Sequence, residues 1–279
     1  MIRAGDVATL RDVTSTRRAA GARIGFVPTM GALHEAHLSL VDHARAASDL
    51  VVVSVFVNPL QFAPGEDFER YPRDLDADAA LLAGRGVDVL FAPALDALYP
   101  QGEPVVRVVP GPPGERLCGE FRPGHFEGVL TVVAKLFNLV DPDVAVFGAK
   151  DFQQSVLIRR MVADLDFRTE VLVAPIVREP DGLALSSRNA YLAAADRRRA
   201  PALSRALGAA RDAYRGGEQE AAKLRTIARG VLADAGLDPQ YLELVDPDTL
   251  ESLSRARPGA VLALAAYVGE TRLIDNIVL

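Results

Sequence analysis

IGFVPTMGALHEAHLSLVDHARAASDLVVVSVFVNP, residues 24–59, decides the fold class. Its apolar runs Ile24–Val27 and Leu50–Val57 flank a helix-like stretch, Glu35–Ala47. Continuous apolar runs suit strands covered on both faces, as in a parallel sheet, and two such strands need a helical crossover between them. The unit recurs downstream. Val87–Phe91, Val144–Phe147 and Val171–Ala174 read as further strands, and Asp74–Gly84, Glu127–Leu139 and Phe152–Asp164 as helices. Strand and helix in alternation predict a doubly wound α/β domain over residues 1–176. Beyond that point the texture changes. Ala195–Arg215 and Glu218–Ala235 read as amphipathic helices, then Tyr241–Val245, Ala260–Val268 and Thr271–Val278 as strands with short turns. Short connections favour antiparallel pairing, so residues 177–279 are expected to form a smaller α+β domain. The Pro/Gly-rich Gly102–Gly114 reads as a loop or an edge excursion.

With 31 basic and 37 acidic residues, the net charge of −6 argues against nucleic acid as a partner, since phosphate backbones call for a basic face. It leaves room for a nucleotide, which a few cations and a helix N-terminus can hold. The single cysteine, Cys118, has no partner for a disulfide, and no cysteine/histidine cluster suggests zinc. The longest apolar runs are too short to span a bilayer, and MIRAGDVATLRDV lacks a secretory pattern. A soluble cytoplasmic protein with no membrane partner is the expectation.

Five short segments could carry chemistry. In PTMGALHEAH (28–37) two histidines three apart, His34 and His37, share one side of a helix start at the carboxyl end of a strand. Ligands bind there in parallel sheets, and amide-rich helix starts favour anions. FVNPLQF (56–62) ends a strand with the amides of Asn58 and Gln61, which could orient a polar substrate or make an ordinary Asn-Pro turn. FGAKDFQQ (147–154) brings Gly148 and Lys150 to a strand end, with Asp151 placed to cap the next helix. DGLALSSRN (181–189) follows a turn with Ser186, Ser187 and Arg188, a compact set for phosphate. RPGHFEGVLTVVAKLFN (122–138) offers an apolar wall for a small branched acid, and equally a core helix. Each segment alone also fits a plain structural role.

Their order is more telling than any one of them. The five blocks, with ETRLIDNI (270–277) near the end, closely resemble the pantothenate synthetase family from about residue 24 onward. The resemblance implies a Rossmann-like nucleotidyltransferase domain with a smaller C-terminal domain closing over ATP, a homodimer formed through the N-terminal domain, and a need for Mg2+. It further implies condensation of D-pantoate with β-alanine through a pantoyl-adenylate, releasing pyrophosphate and AMP. Residue by residue, His34 and His37 match the phosphate-binding histidines of the HxGH signature. Lys150, Ser186, Ser187 and Arg188 match phosphate-contacting groups. Met30, Gly148, Asp151, Val177 and Leu185 fall in the ATP site. Gln61 and Gln154 match the glutamines that hold pantoate, with Met30, Val132, Val133 and Leu136 beside them and Asn58 and His125 at further polar positions. The expected work of His34, His37, Lys150, Arg188 and magnesium is to screen repulsion between two anions.

Two positions depart from the family pattern. Ala36 replaces the usual glycine between Glu35 and His37, where a methyl group would crowd the adenine. Ala149 stands where an acidic or polar residue is usual, with a side chain expected to matter less. Asp76 and Asp78 are the only candidates the sequence offers as magnesium ligands. Competing expectations are another nucleotidyltransferase acting on a phosphorylated acceptor, and a catalytically silent nucleotide-binding module, which Ala36 alone favours.

Overall fold

The computed structural model describes all of residues 1–279. In chain order the elements are β1 (Ile2–Ala4), α1 (Val7–Ala19), β2 (Ile24–Thr29), α2 (Glu35–Ala46), β3 (Leu50–Val55), α3 (Leu75–Gly84), β4 (Val89–Phe91), α4 (Leu95–Leu98), α5 (Cys118–Phe121), α6 (His125–Val140), β5 (Val144–Gly148), α7 (Phe152–Asp164) and β6 (Glu170–Ala174). There follow α8 (Ala194–Arg199), α9 (Ala202–Arg215), α10 (Ala221–Asp234), β7 (Pro239–Val245), β8 (Val261–Val268) and β9 (Thr271–Val278).

The first six strands form one parallel sheet in the order β1-β4-β3-β2-β5-β6. Pairing runs Ile24↔Leu50 through Thr29↔Val55, so β2 and β3 end level with each other. The order reverses at β2, whose neighbours are β3 and β5. Ligands bind outside the carboxyl ends of strands at such a switch point. The apolar runs of β2 and β3 are explained by burial on both faces: Ile24, Phe26, Leu50 and Val52 belong to one core, Val27, Val51 and Val53 to the other, whereas the expected strand Val171–Ala174 is a half-buried edge strand.

Besides the single-turn helices α4 and α5, two elements are absent from the sequence reading. β1 is a three-residue edge strand, paired Ile2↔Val89 to Ala4↔Phe91. α1 buries only Leu10 and Thr14, too narrow a stripe to register as periodicity, and starts on Asp6, which accepts from Thr9 N at 2.8 Å. The helix expected over Ala195–Arg215 is in fact two, α8 and α9. Pro201, lacking an N–H, sits at the N-cap of α9 and interrupts the ladder.

The C-terminal strands form an antiparallel sheet, β7-β8-β9, which packs with α9 and α10 around Leu203, Leu207, Leu224 and Leu264. A smaller cluster joins Leu117 and Val156 from the first sheet's layer to Val245, Val261 and Ala263 of the second. β9 thereby lies over the end of β5 and carries two buried polar side chains, Asp275 and Asn276. Gly102–Gly114 is largely irregular, as expected, ending in a single tight turn at Pro112–Glu115.

Candidate active site

The chain leaves β2 through a strained turn. Gly31 has φ +80° and Ala32 φ +51°, a left-handed conformation uncommon for alanine. Asp78, in the first turn of α3, holds it: Oδ2 accepts from Ala32 N at 3.0 Å and Oδ1 from Leu33 N at 2.7 Å. A Cβ at Gly31 would stand 2.8 Å from that same Oδ2, so glycine is needed there. The turn delivers His34 to the N-cap of α2. His37 Nδ1 accepts from His34 N at 3.3 Å, and the two rings lie 4.1 Å apart. With Nδ1 accepting, the proton of neutral His37 resides on Nε2. Burial, reinforced by Lys150, lowers the pKa of His34 to about 4. Burial, His34 and Lys150 lower that of His37 to about 3. Both rings are therefore neutral at pH 7. In that form they can ease repulsion between anions by donating hydrogen bonds rather than by carrying charge. His34 Nδ1 is buried without a partner in the protein.

At the end of β3, Asn58 is fully buried with both ends of its amide engaged. Oδ1 accepts from Tyr99 Oη at 3.0 Å and Leu60 N at 3.4 Å, while Nδ2 donates to Gly128 O at 3.1 Å and Gln61 Oε1 at 3.2 Å. Of the two sequence readings of Asn58, the turn is the one seen here, and the side-chain amide of Asn58 is fully engaged by protein partners, among them Gln61. It stands behind Gln61, which turns Nε2 toward Met30 Sδ at 3.1 Å. His125 Nδ1 donates to Gln61 O at 2.8 Å and Nε2 accepts from Arg122 at 3.0 Å. Burial and Arg122 push its pKa down to about 3, consistent with that neutral tautomer.

Lys150 lies in the tight turn Ala149–Asp151 after β5. Asn276 of β9 grips this turn, donating to Ala149 O at 2.9 Å and Lys150 O at 3.0 Å. Asp151 occupies the N-cap position of α7 but makes no capping bond, contrary to expectation; its carboxylate is 4.0 Å from Lys150 Nζ. Ala149 lines neither cavity described below, in keeping with the small weight given to it. Gln153 is turned inward onto Cys118 N, Pro113 O and Arg116 O, which leaves Gln154 facing the open space.

In the third turn, Ser186 Oγ accepts from Arg188 N at 3.3 Å, and Ser187 Oγ donates to Ala32 O at 3.0 Å, tying this turn to the histidine turn. Arg188 is not free. It forks onto Asp67 at 2.8 and 2.9 Å, and adjacent Glu66 holds Arg122 in the same way at 2.7 and 2.6 Å. Arg178, at the base of the turn, pairs with Asp275 of β9 at 2.6 and 2.9 Å. Asp67, Asp275 and Asn276 were not singled out from the sequence; each acts on a partner at least 97 residues away.

All eighteen residues the motifs assigned to ATP, pantoate or catalysis line one cavity of about 230 Å³, from Met30, His34 and His37 through Gln61 and Val132 to Lys150 and Arg188. Ala36 lines it as well. A second cavity, of about 480 Å³, opens beside it under the C-terminal sheet and shares the wall formed by Arg122, His125, Lys150, Gln154 and Arg188. The acidic pair does not build a metal site. Asp76 is exposed and pairs with Arg3 at 2.9 Å, and both oxygens of Asp78 are engaged by backbone amides. No group of three or more His, Cys, Asp or Glu is disposed to hold an ion.

A doubly wound sheet carrying paired neutral histidines, a lysine and a Ser-Ser-Arg turn at its switch point is the layout of an α/β enzyme that binds a nucleotide by its phosphates. The comparisons narrow this class. The profile described as Pantoate-beta-alanine ligase matches residues 3–278. Pantothenate synthetase 1 of Bradyrhizobium diazoefficiens is 54% identical over 98% of this chain and 96% of its own length. That of Moorella thermoacetica is 52% identical with the same coverage. The crystal structure of pantothenate synthetase from Thermus thermophilus superposes with a TM-score of 0.93 at 49% identity, covering 99% of both chains. Pantoate-beta-alanine ligase from Francisella tularensis, complexed with beta-gamma ATP and beta-alanine, gives 0.83 at 36% identity, covering 100% of this chain and 97% of its own. The chain belongs to the pantoate–β-alanine ligase family. No helix is long and apolar enough to cross a membrane.

Proposed function

We propose that this enzyme condenses D-pantoate with β-alanine at the expense of ATP through a pantoyl-adenylate, releasing pyrophosphate and AMP. The observation that carries the reading is the convergence of five separated motifs on one cavity at the sheet's switch point. Family membership at about half identity over the whole chain supports the same activity.

In this reading residues 1–176 bind the nucleotide and pantoate, and residues 177–279 form the domain that covers them. Pantoate lies between the amides of Gln61 and Gln154, its branched carbons against Met30, Val132, Val133 and Leu136. Asn58 and His125 hold Gln61 from behind. The nucleotide lies along Gly148, Asp151, Val177 and Leu185, with its phosphates toward His34, His37, Lys150, Ser186, Ser187 and Arg188. A carboxylate cannot expel oxide when an amine attacks it, so its oxygen first attacks the α-phosphorus and pyrophosphate leaves. The amine of β-alanine then attacks the activated carbonyl and AMP leaves. No covalent enzyme intermediate is needed. Lys150 and Arg188 supply positive charge, and the neutral histidines supply directed hydrogen bonds in a site where few reorienting waters compete. His34 Nδ1, buried and unpartnered, is one position left for a ligand atom.

The protein's own groups do not fit a dedicated magnesium cage, so we propose that Mg2+ enters with the triphosphate, whose oxygens supply most of its ligands. We further propose a homodimer formed through the N-terminal domain, working in the cytoplasm. The projecting Val105, Val106 and Val109 fit a face covered by a second copy.

The test is release of pyrophosphate and AMP from ATP with magnesium and D-pantoate, with and without β-alanine. AMP formation that needs both acids supports the ligase. Use of a phosphorylated acceptor with pantoate ignored would indicate a different nucleotidyltransferase. ATP binding without turnover would indicate a silent module.

A further inference from the structure

Gln61 meets the cavity as a hydrogen-bond donor, and part of the reason lies outside the motifs. Two backbone groups fix which end of the buried Asn58 amide is which: Leu60 N–H donates to Oδ1, and Gly128 O accepts from Nδ2. The other hydrogen of Nδ2 goes to Gln61, so the atom it meets at 3.2 Å has to be Oε1. The backbone oxygen of Gln61 is also taken, by His125 Nδ1 at 2.8 Å and Arg122 Nη2 at 3.3 Å. What Gln61 turns to the cavity is therefore Nε2, whose protein partner is the weak acceptor Met30 Sδ.

Tyr99 completes this chain. Its hydroxyl donates to Asn58 Oδ1 at 3.0 Å, whereas the bond from Leu60 N is 3.4 Å, so the phenol makes the closer contact on that oxygen. Tyr99 follows α4, 41 residues from Asn58, and lines neither cavity. Its buried ring stands edge-on to Phe56, with centroids 5.9 Å apart, in the core of the sheet domain. Burial raises its pKa to about 13, so the hydroxyl keeps its proton. Gly128 serves the same arrangement. A Cβ there would stand 2.3 Å from Leu60 O and 2.7 Å from Gln61 N, so glycine is what lets α6 lie against the turn.

We propose that Tyr99 is a positioning residue for pantoate: acting through Asn58, it holds the Gln61 amide with its nitrogen toward the cavity, where it selects an acceptor oxygen of the acid. The proposal rests on the ligase reading. A carboxylate or hydroxyl oxygen of the acid suits such a donor. Without the phenol, Asn58 Oδ1 keeps one long bond, and the amide that aligns Gln61 loosens. The turns that carry His34, Lys150 and Arg188 are held by other residues, Asp78, Asn276 and Asp275, so the nucleotide side is spared.

Pantoate-dependent exchange of pyrophosphate into ATP by the full-length enzyme tests this. Loss of one neutral hydrogen bond corresponds to roughly 3- to 10-fold. Tyr99→Phe, which keeps the ring, is expected to raise the KM for D-pantoate by that factor. The KM for ATP and the maximal exchange rate should stay within about twofold. Val140→Ala, in the same core but away from both cavities, controls for lost packing and should leave the KM for pantoate unchanged. Gln61→Glu tests the polarity itself. Asn58 Nδ2 can still donate to the carboxylate, but an acceptor now faces the acid, so the KM for pantoate should rise at least as far as in Tyr99→Phe. The inference is overturned if Tyr99→Phe leaves that KM within about twofold, or if Val140→Ala raises it equally. It also fails if the KM for ATP and the maximal rate shift in step with it, or if Gln61→Glu takes pantoate as the unaltered enzyme does. Absence of pantoate-dependent exchange in the unaltered protein would instead overturn the ligase reading, and is seen before any variant is made.

Discussion

Mild acid should destabilise this protein through its buried histidines. His37 and His125 are held neutral in the folded chain, with pKa values pushed down to about 3 by burial and by nearby cationic or histidine groups. In the unfolded chain each takes up a proton near the ordinary histidine value of about 6.5. A depressed folded-state pKa means the unfolded chain binds more protons, so the associated stability is intact above about pH 6.5 and is lost progressively below it. At about pH 5 the gap is about 1.5 units for each ring, or about 2 kcal/mol, and about 4 kcal/mol for the two together. His34, lowered to about 4, adds in the same direction. Set against a typical net stability of about 5–15 kcal/mol, this is a large fraction. The assay is urea unfolding followed by circular dichroism at about pH 7.5 and about pH 5 at fixed ionic strength. Most surface carboxylates stay ionised across that interval. His125→Asn and His37→Gln should each remove part of the difference, whereas His43→Gln, on the exposed side of α2, should retain all of it. A wild-type difference below about 1 kcal/mol would show the rings to be accessible to protons, and the argument for neutral hydrogen-bonding histidines would fail.

Three further outcomes are expected. Ala36→Gly removes a methyl group from the nucleotide cavity and should lower the KM for ATP; an unchanged value would show that the family's missing glycine does not matter here. Asp78→Ala leaves the half-buried N–H groups of Ala32 and Leu33 without their partner, a cost of about 2 kcal/mol. Thermal unfolding should drop accordingly, and kcat should fall more than a surface control because the turn that aims His34 is released. Asp275→Asn weakens a pair whose carboxylate is buried and whose arginine is partly exposed. It should cost about 1–3 kcal/mol and raise the KM for ATP more than that for β-alanine, as steady-state kinetics would show.

What the sequence discloses follows from the range of the interaction. Strands β2 to β6 are legible because each is apolar on both faces over several consecutive residues, a local signal. β1 is not, since three residues at an edge carry no period. The break at Pro201 was written in the sequence, but alanine and arginine continue on both sides and mask it. The candidate site residues were reached through motif order, and their convergence on one cavity follows from the strand ends. Their condition was out of reach. Neutral histidines arise from burial, and the ion pairs Asp67–Arg188 and Glu66–Arg122 join residues 121 and 56 apart. The carboxylate of Asp78 shows the same limit. Its spacing from Asp76 suggests a metal pair, yet the helix start delivers it to two amides 45 and 46 residues back.

Those long-range bonds explain why a small antiparallel domain accompanies the nucleotide sheet at all. The site is made of three turns, at Gly31–His34, Ala149–Asp151 and Ser186–Asn189, and a free turn loses about 1–2 kcal/mol of backbone entropy per residue when fixed. Asp78 fixes the first from within the sheet domain. The other two are held from β9, where Asn276 grips the lysine turn and its neighbour Asp275 grips Arg178 at the base of the arginine turn. Ser187 then closes the set by donating to Ala32 O, joining the third turn to the first. Lys150 and Arg188 are thus carried on turns tied to one strand, so their spacing is set by adjacent residues of β9. A displacement of that strand moves Lys150 and the Arg188 turn together. For a site that must hold a triphosphate and a carboxylate at one distance, that is a direct way to keep two charges in step.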